Sequence, residues 1–176
     1  MSWGGVRGLS VVARAEGSHA GKLDDMLVFV ETLRPIGFKI KAPGFWGGVR
    51  GFPAEALELL GKEYVLVRNE AAVEPAGESR GTLDDRVWAS AWLGCRVLTR
   101  RGNEVGKVVD LVVDATGASV CGFVLDGNRL VVPGARAAVG ADSVIVDDES
   151  VAEKVADAAE SPGWWKVVSE RVERGG

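Results

Sequence analysis

The chain repeats one pattern of residues, and this repeat limits the folds open to it. Gly21-Lys22-Leu23-Asp24-Asp25 opens a long apolar run, and 85 positions later Gly106-Lys107-Val108-Val109-Asp110 opens another. The pairs Gly37-Phe38 and Gly122-Phe123 keep the same offset. A unit that recurs in this way predicts two copies of one small fold. A unit of this size buries only about 60% of its unfolded surface, so packing of the two copies would stabilise both.

Most segments inside each copy predict β-strands. Between positions 36 and 40, apolar residues alternate with glycine or lysine, which is the pattern of a strand with one buried face. Glu16–His19 reads as a turn, and the stretch after Pro53, residues 54–60, as a helical turn. The predicted strands are 9–14, 23–30, 36–40, 49–52 and 64–67 in the first copy, and 95–99, 105–113, 120–125, 130–132 and 144–146 in the second.

The segments outside the strands predict the domain organisation. We expect a first unit at 1–75, a linker at 76–88, a second unit at 89–148 and a helical C-terminal tail at 149–176. A short helix over 83–92 would enter the second unit and place Trp88 and Trp92 in the core. Ser150-Val151-Ala152-Glu153 matches a capping box, which predicts that the tail helix begins there.

Composition excludes several classes of protein. The net charge of −4 lacks the basic excess of a protein that binds nucleic acid through phosphates, so we do not expect direct nucleic-acid binding. Cys95 and Cys121 are too few for a secreted disulfide scaffold; we expect reduced thiols, with a mutual disulfide as the alternative. Neither a membrane span nor a signal peptide is visible, so we expect a cytoplasmic protein.

The order of these segments resembles the PRC-barrel family. The resemblance is best in the second copy, where Gly106 to Asp114 reads Gly-Lys-Val-Val-Asp-Leu-Val-Val-Asp and a strand, proline, turn and strand follow. Gly21 to Val28 fits as well, although residues 29–33 lack the usual Asp and Gly turn. The resemblance implies a mostly β fold: two tandem small antiparallel PRC-type β-barrels with a helical C-terminal tail.

The resemblance also bears on function. The family includes the cytoplasmic barrel of the photosynthetic reaction-centre H subunit and the C-terminal domain of the ribosome-maturation factor RimM. It is not known as a family of enzymes, and its members resemble docking surfaces for other macromolecules. The resemblance therefore implies a protein that binds partners.

The polar side chains show no recognisable catalytic or metal-binding motif. His19 is the only histidine, and no nucleophile pairs with it in sequence. The carboxylate pairs Asp24-Asp25, Asp84-Asp85 and Asp147-Asp148 invite a metal interpretation, but neighbouring strand residues point to opposite faces. The equivalence of Asp25 and Asp110 indicates a shared structural role instead, as carboxylates that accept backbone amides. We therefore predict no catalytic, cofactor-binding or metal-binding residues.

The tryptophans are the better candidates for function, because six is many for 176 residues. Phe45 and Trp46 lie in a glycine-rich loop, where we favour a contact surface that could serve a homodimer. Trp164 and Trp165 follow the helix-breaking Ser161–Gly163. Two interpretations stay open for that pair: an interaction surface, or a cover over the seam between the barrels.

The function that follows from these observations is non-catalytic. We expect a binding or adaptor protein that mediates protein–protein interaction through a partner of unknown identity. One alternative is a RimM-like accessory factor for ribosome or RNA maturation. The other is a carrier of a small ligand bound between the two barrels.

Overall fold

The computed structural model describes residues 1–43, 48–75, 85–134, 137–147 and 151–152. Within these residues the fold is mostly β, as the sequence predicts. Two sheets account for all the described strands. The loop with Phe45 and Trp46, and the tail from residue 153 with Trp164 and Trp165, lie outside the described residues.

The first sheet is a half-barrel in which consecutive strands pair antiparallel, except that β1 and β6 run parallel. Its order is β5-β6-β1-β2-β3-β4-β7, and a short helix, α1 (Trp3–Val6), precedes it. The strands are β1 (Ser10–Ala13), β2 (Ser18–Phe29), β3 (Arg34–Lys41), β4 (Val49–Pro53), β5 (Leu57–Leu60), β6 (Tyr64–Val67) and β7 (Glu74–Pro75).

The second sheet has the same order of pairing. It runs β13-β14-β9-β10-β11-β12-β15, and its one parallel pair, β9 with β14, corresponds to β1 with β6. The strands are β9 (Arg96–Thr99), β10 (Glu104–Val113), β11 (Val120–Leu125), β12 (Arg129–Val131), β13 (Ala138–Val139), β14 (Ser143–Val146) and β15 (Val151–Ala152).

Each half of the chain adds a segment to the sheet of the other half. The strand β8 (Arg86–Trp88) precedes the second sheet in sequence but pairs with β2, with Trp88 opposite Leu27. In the same way, Ser2 at the start of the chain pairs with Val112 on β10. Leu27 and Val112 stand opposite equivalent glycines, Gly37 and Gly122, so the two crossings occur at equivalent places.

One hydrophobic cluster runs through both halves. It includes Val11 and Met26 from the first sheet, and Val97 and Phe123 from the second, all fully buried. Trp92 also lies in it, with its ring edge-on to Phe123 at a centroid distance of 5.5 Å. A shared core buries more apolar surface than two separate small units could, which stabilises both halves.

Three predicted helical segments differ in the structure. After a 3₁₀ turn at Ala54–Ala56 the chain continues as β5, which pairs antiparallel with β6 and buries Leu60 in the core. The described part of the predicted 83–92 helix is β8 followed by a 3₁₀ turn, Ala89–Trp92. The predicted start of the tail helix is wrong at Val151 and Ala152, which pair with β12 as β15.

A third 3₁₀ turn, Glu70–Ala72, leads into β7 and is capped by the Asn69 side chain. Helices in the described part of the chain are therefore short. None has the length and apolar character that crossing a bilayer requires.

Candidate functional site

Asp25, a carboxylate near the middle of β2, binds the segment that begins the second half of the chain. It is 5% exposed and accepts hydrogen bonds from the Ser90 amide at 3.1 Å and from the Ser90 hydroxyl. Its own neighbour, the Met26 amide, donates at 2.9 Å. Three donors satisfy the buried carboxylate, so its role is structural rather than that of a free acid or base.

Asp110 makes the equivalent contacts on β10. It accepts from the Gly4 amide at 2.8 Å, from the Ser2 hydroxyl and from its neighbour, the Leu111 amide, at 2.8 Å. Ser90 donates to Asp25 through both its amide and its hydroxyl. Gly4 has no hydroxyl, so Asp110 accepts its hydroxyl hydrogen bond from Ser2 instead. The sequence-based prediction that Asp25 and Asp110 accept backbone amides in a repeated role is therefore confirmed.

Asp24 points to a different set of partners from Asp25, as expected for neighbours on a strand. Its carboxylate lies 2.9 Å from Lys41 Nζ, 3.2 Å from Lys39 Nζ and 3.7 Å from Arg7 Nη2. Burial by itself raises the pKa of Asp24, but the hydrogen bonds and charges of Lys41 and Lys39 outweigh it and leave the pKa below its usual value. This ion cluster consists of Arg7, Asp24, Lys39 and Lys41.

The outer face of the first sheet carries a groove beside Trp88. We call it the Trp88 groove; its volume is about 250 Å³. Leu27 alternates with core residues and so points outward, directly opposite Trp88 on the neighbouring strand. Lys39 lies with its ammonium 5.8 Å from the centre of the Trp88 ring, a cation–π distance. Apart from Glu74, the rest of the lining is small or apolar: Gly37, Phe38, Gly51, Phe52, Pro53, Ala72 and Pro75.

The outer face of the second sheet is chemically different. Arg7, Asp24 and Lys39 correspond by register to Leu93, Val109 and Val124. Leu93 is 38% exposed and Val109 54% exposed. The second half thus has aliphatic side chains at three of the four positions of the ion cluster, whereas the fourth, Lys41, corresponds to Asp126.

A second groove, about 650 Å³ in volume, lies at the seam between the two halves. The turn after β2 forms one wall, with Glu31 and Leu33, and the segment around Pro133 and Val139 forms the other. Glu31 and Asp85, its two carboxylates, are both exposed. On the other side of the seam, the turn after β10 packs its Gly117 closely against Leu57 and Leu60 of the first half.

The remaining candidates are one histidine and two cysteines. His19, predicted in a turn, is an exposed residue of β2 paired with Val12. Cys95 and Cys121 are free thiols and half-buried, and burial, with a smaller effect of Asp114, raises the pKa of Cys121 to about 11. In the described part of the chain, no group of three or more His, Cys, Asp or Glu residues could hold a metal ion.

Trp88, which was not among the predicted interaction residues, lines a groove in the described part of the chain. Phe45, Trp46, Trp164 and Trp165 lie outside the described residues, so their role as an interaction surface stays a prediction. Trp88 was predicted to be in the core with Trp92, and this is wrong: Trp88 is half-buried on the outer face, because it alternates on β8 with the buried Val87. The alternation of Arg86, Val87 and Trp88 was the sequence signal that could have placed it on a strand.

Comparison with known proteins agrees with the second sheet. The family model for the PRC-barrel domain matches residues 84–151, a range that holds β8 to β14 and the start of β15. Among curated proteins, none matches the chain significantly in sequence. Residues 84–151 of this mostly β chain are a PRC-barrel domain.

Proposed function

We propose that the first half of the chain is a second, divergent PRC-barrel unit, which makes the protein a tandem of two such units. The shared strand order and the equivalent contacts of Asp25 and Asp110 support this proposal. Equivalent glycines at positions 21 and 106, both with positive φ, support it as well. A tandem scaffold carries two sets of surface residues that can diverge while the cores stay alike.

We propose further that the protein is a non-catalytic adaptor that binds a protein partner in the Trp88 groove. The observation that carries the proposal is a half-buried indole on a sheet face, beside a floor that contains Gly37 and Gly51. A floor without side chains leaves room for an apolar residue of a partner, and tryptophan is a common anchor of binding energy. Proline side chains at 53 and 75 border the same space.

The chemistry of the groove favours an extended peptide segment with one apolar side chain. The short edge strand β7 pairs through Glu74 and Pro75, and Pro75 has no amide hydrogen to offer a further strand. Recognition would therefore depend on the side chains that line the groove. A reducing compartment such as the cytoplasm suits the two free thiols.

The adaptor function is preferred to a small-ligand carrier in the seam groove. A carrier buries most of its ligand in a pocket, whereas the two carboxylates of the seam groove are exposed side chains on its rim. A RimM-like role in ribosome or RNA maturation is one form that the adaptor function could take. It would make the partner a ribosomal component.

The test is site-specific photo-crosslinking in native lysate, with a photoreactive residue in place of the exposed Glu74 at the groove rim. We expect a discrete partner to be crosslinked, and Trp88→Ala to reduce its yield at least about tenfold, as for truncation of an aromatic anchor. Tyr64→Ala is the matched control, because Tyr64 is 54% exposed and is not among the residues of the groove. Thermal melts establish that both variants fold.

Two outcomes separate the alternatives. Crosslinks to ribosomal components that weaken in Trp88→Ala would make the RimM-like role the specific form of the function. An unchanged set of crosslinked proteins in a folded Trp88→Ala variant would disprove binding in this groove.

A further inference from the structure

The outer face of the second sheet buries aliphatic residues away from the core. Val112 and Leu130 form a small cluster of their own and are 3% and 6% exposed. Each alternates along its strand with residues of the main core, so both point to the outside of the sheet. Their packing neighbours among the described residues are Cys121, Val124 and Val132, which are themselves only half-buried.

On the first sheet the chain itself supplies the cover for this face. After β7 the chain turns back and places Trp88 opposite Leu27. On the second sheet the equivalent position opposite Val112 is taken by Ser2, whose side chain is far smaller. Among the described residues, no indole therefore stands beside Val112 and Val124 as Trp88 stands beside Leu27.

The end of the described chain leads directly to this face. β15 pairs antiparallel with β12, with Ala152 opposite Leu130, so the tail starts beside the cluster. Trp165 follows the last residue of β15 by 13 positions, and Trp88 follows the last residue of β7 by 13 positions. The face is two strand spacings wide from β12 to β10, about 10 Å, which 13 residues can span easily.

We propose that the C-terminal tail, residues 153–176, docks on the outer face of the second sheet and that Trp164 and Trp165 cover Val112, Val124 and Leu130. The exposed Val109 and Leu93 extend the same face, which suits a segment with two adjacent indoles. Val109 and Val124 replace Asp24 and Lys39 there, so this face is more apolar than its counterpart and suits tryptophan side chains. The tail thereby fills on the second sheet the place that Trp88 fills on the first.

Cys121 provides a direct readout, because it lies within the cluster that the tail would cover. In a Cys95→Ser background it is the only thiol of the chain. We expect it to react slowly with an aromatic disulfide reagent at pH 8, and Trp164→Ser/Trp165→Ser to speed the reaction at least about tenfold, the effect of one pKa unit on the thiolate fraction. Trp88→Ala is the matched control: it removes an indole from the other sheet and should leave the rate unchanged.

A crosslink provides the second measurement. In the same background, Trp165→Cys should form an intrachain disulfide with Cys121 on mild oxidation, with a yield independent of protein concentration. Equal reaction rates of Cys121 with and without the two tryptophans would overturn the proposal. So would protection that disappears on dilution, or a disulfide that joins two chains, because a second copy would then be the occupant.

Discussion

Asp25 and Asp110 lie at equivalent positions on β2 and β10, and each carboxylate holds the segment that begins the other half of the chain. Asp25 binds Ser90, and Asp110 binds Ser2 and Gly4. This exchange ties the two sheets together at two places related by the repeat. The two halves are thus joined by these hydrogen bonds as well as by their shared hydrophobic cluster.

Removal of the Asp25 carboxylate should destabilise the whole chain. Asp25→Ala leaves the Ser90 amide and hydroxyl without their acceptor, which we expect to cost about 3 kcal/mol of unfolding free energy. Asp110→Ala should cost less, because Asp110 is only half-buried. Urea unfolding followed by circular dichroism measures both values.

The exposed Glu31→Ala serves as the control and should stay within about 0.5 kcal/mol of the wild type. A double variant, Asp25→Ala/Ser90→Ala, should lose less than the sum of the single variants, since the two residues share their interaction. Additive losses would show that the hydrogen bond from the Ser90 hydroxyl to Asp25 contributes nothing to stability.

Gly117 fixes the contact between the turn after β10 and the first half. A Cβ at this position would lie 2.5 Å from Leu57 Cδ2 and 2.8 Å from Leu60 Cδ1, at a φ of 71°. Gly17 has a similar φ of 68° with no atom near its Cβ position. Both Gly→Ala variants bear the same backbone strain, about 1 kcal/mol.

If Gly117→Ala loses more unfolding free energy than Gly17→Ala, the difference therefore measures the contact between the two halves. We expect an excess of about 1–3 kcal/mol, the range for overpacking. Equal melting temperatures of the two variants would mean that the turn does not pack on β5.

The two buried indoles, Trp3 and Trp92, should respond differently to replacement by phenylalanine. Trp92 Nε1 donates to the Gly140 carbonyl at 2.9 Å, whereas Trp3 Nε1 has no acceptor among the described residues. Both rings are almost fully buried. Trp92→Phe should therefore cost about 1–2 kcal/mol more than Trp3→Phe, because only it breaks a buried hydrogen bond. Denaturant midpoints of the two variants test this order, and the reverse order would contradict it.

The ion cluster around Asp24 should make stability depend on pH in the acid range. The folded state holds the pKa of Asp24 below its ordinary value of 3.8, against the effect of burial, through Lys41 and Lys39. Because the pKa of Asp24 is lower in the folded state, its ionised carboxylate stabilises the fold at pH values above the unfolded-state pKa. This stabilisation is lost as the pH falls through the folded-state pKa. Asp24→Asn should thus be less stable than the wild type at pH 6.

This difference should shrink as the pH drops below about 4. Urea titrations of both proteins between pH 6 and pH 2.5 measure it. A difference that stays constant over this range would mean that the charge of Asp24 does not stabilise the fold.

The sequence by itself determined ten of the fifteen described strands, and it missed β5, β7, β8, β13 and β15. Tyr64–Val67 and Val120–Leu125 were predicted with their observed bounds, because period-two alternation and flanking turns are local signals. It also determined that Asp25 and Asp110 share a role, since both stand at the same place in a repeated segment. The resemblance to the PRC-barrel family rested on such local patterns too. The family model matches residues 84–151, in the half of the chain where the pattern is clearest.

Only the tertiary structure decided which segments meet. Ser90 is 65 residues from Asp25, and Ser2 is 108 residues from Asp110, so no local pattern could pair them. The position of Trp88 was decided in the same way: pairing of β8 with β2 made a strand where a helix was predicted, and turned the indole outward. Such contacts depend on how two sheets pack around one core, which is a property of the whole chain rather than of any segment.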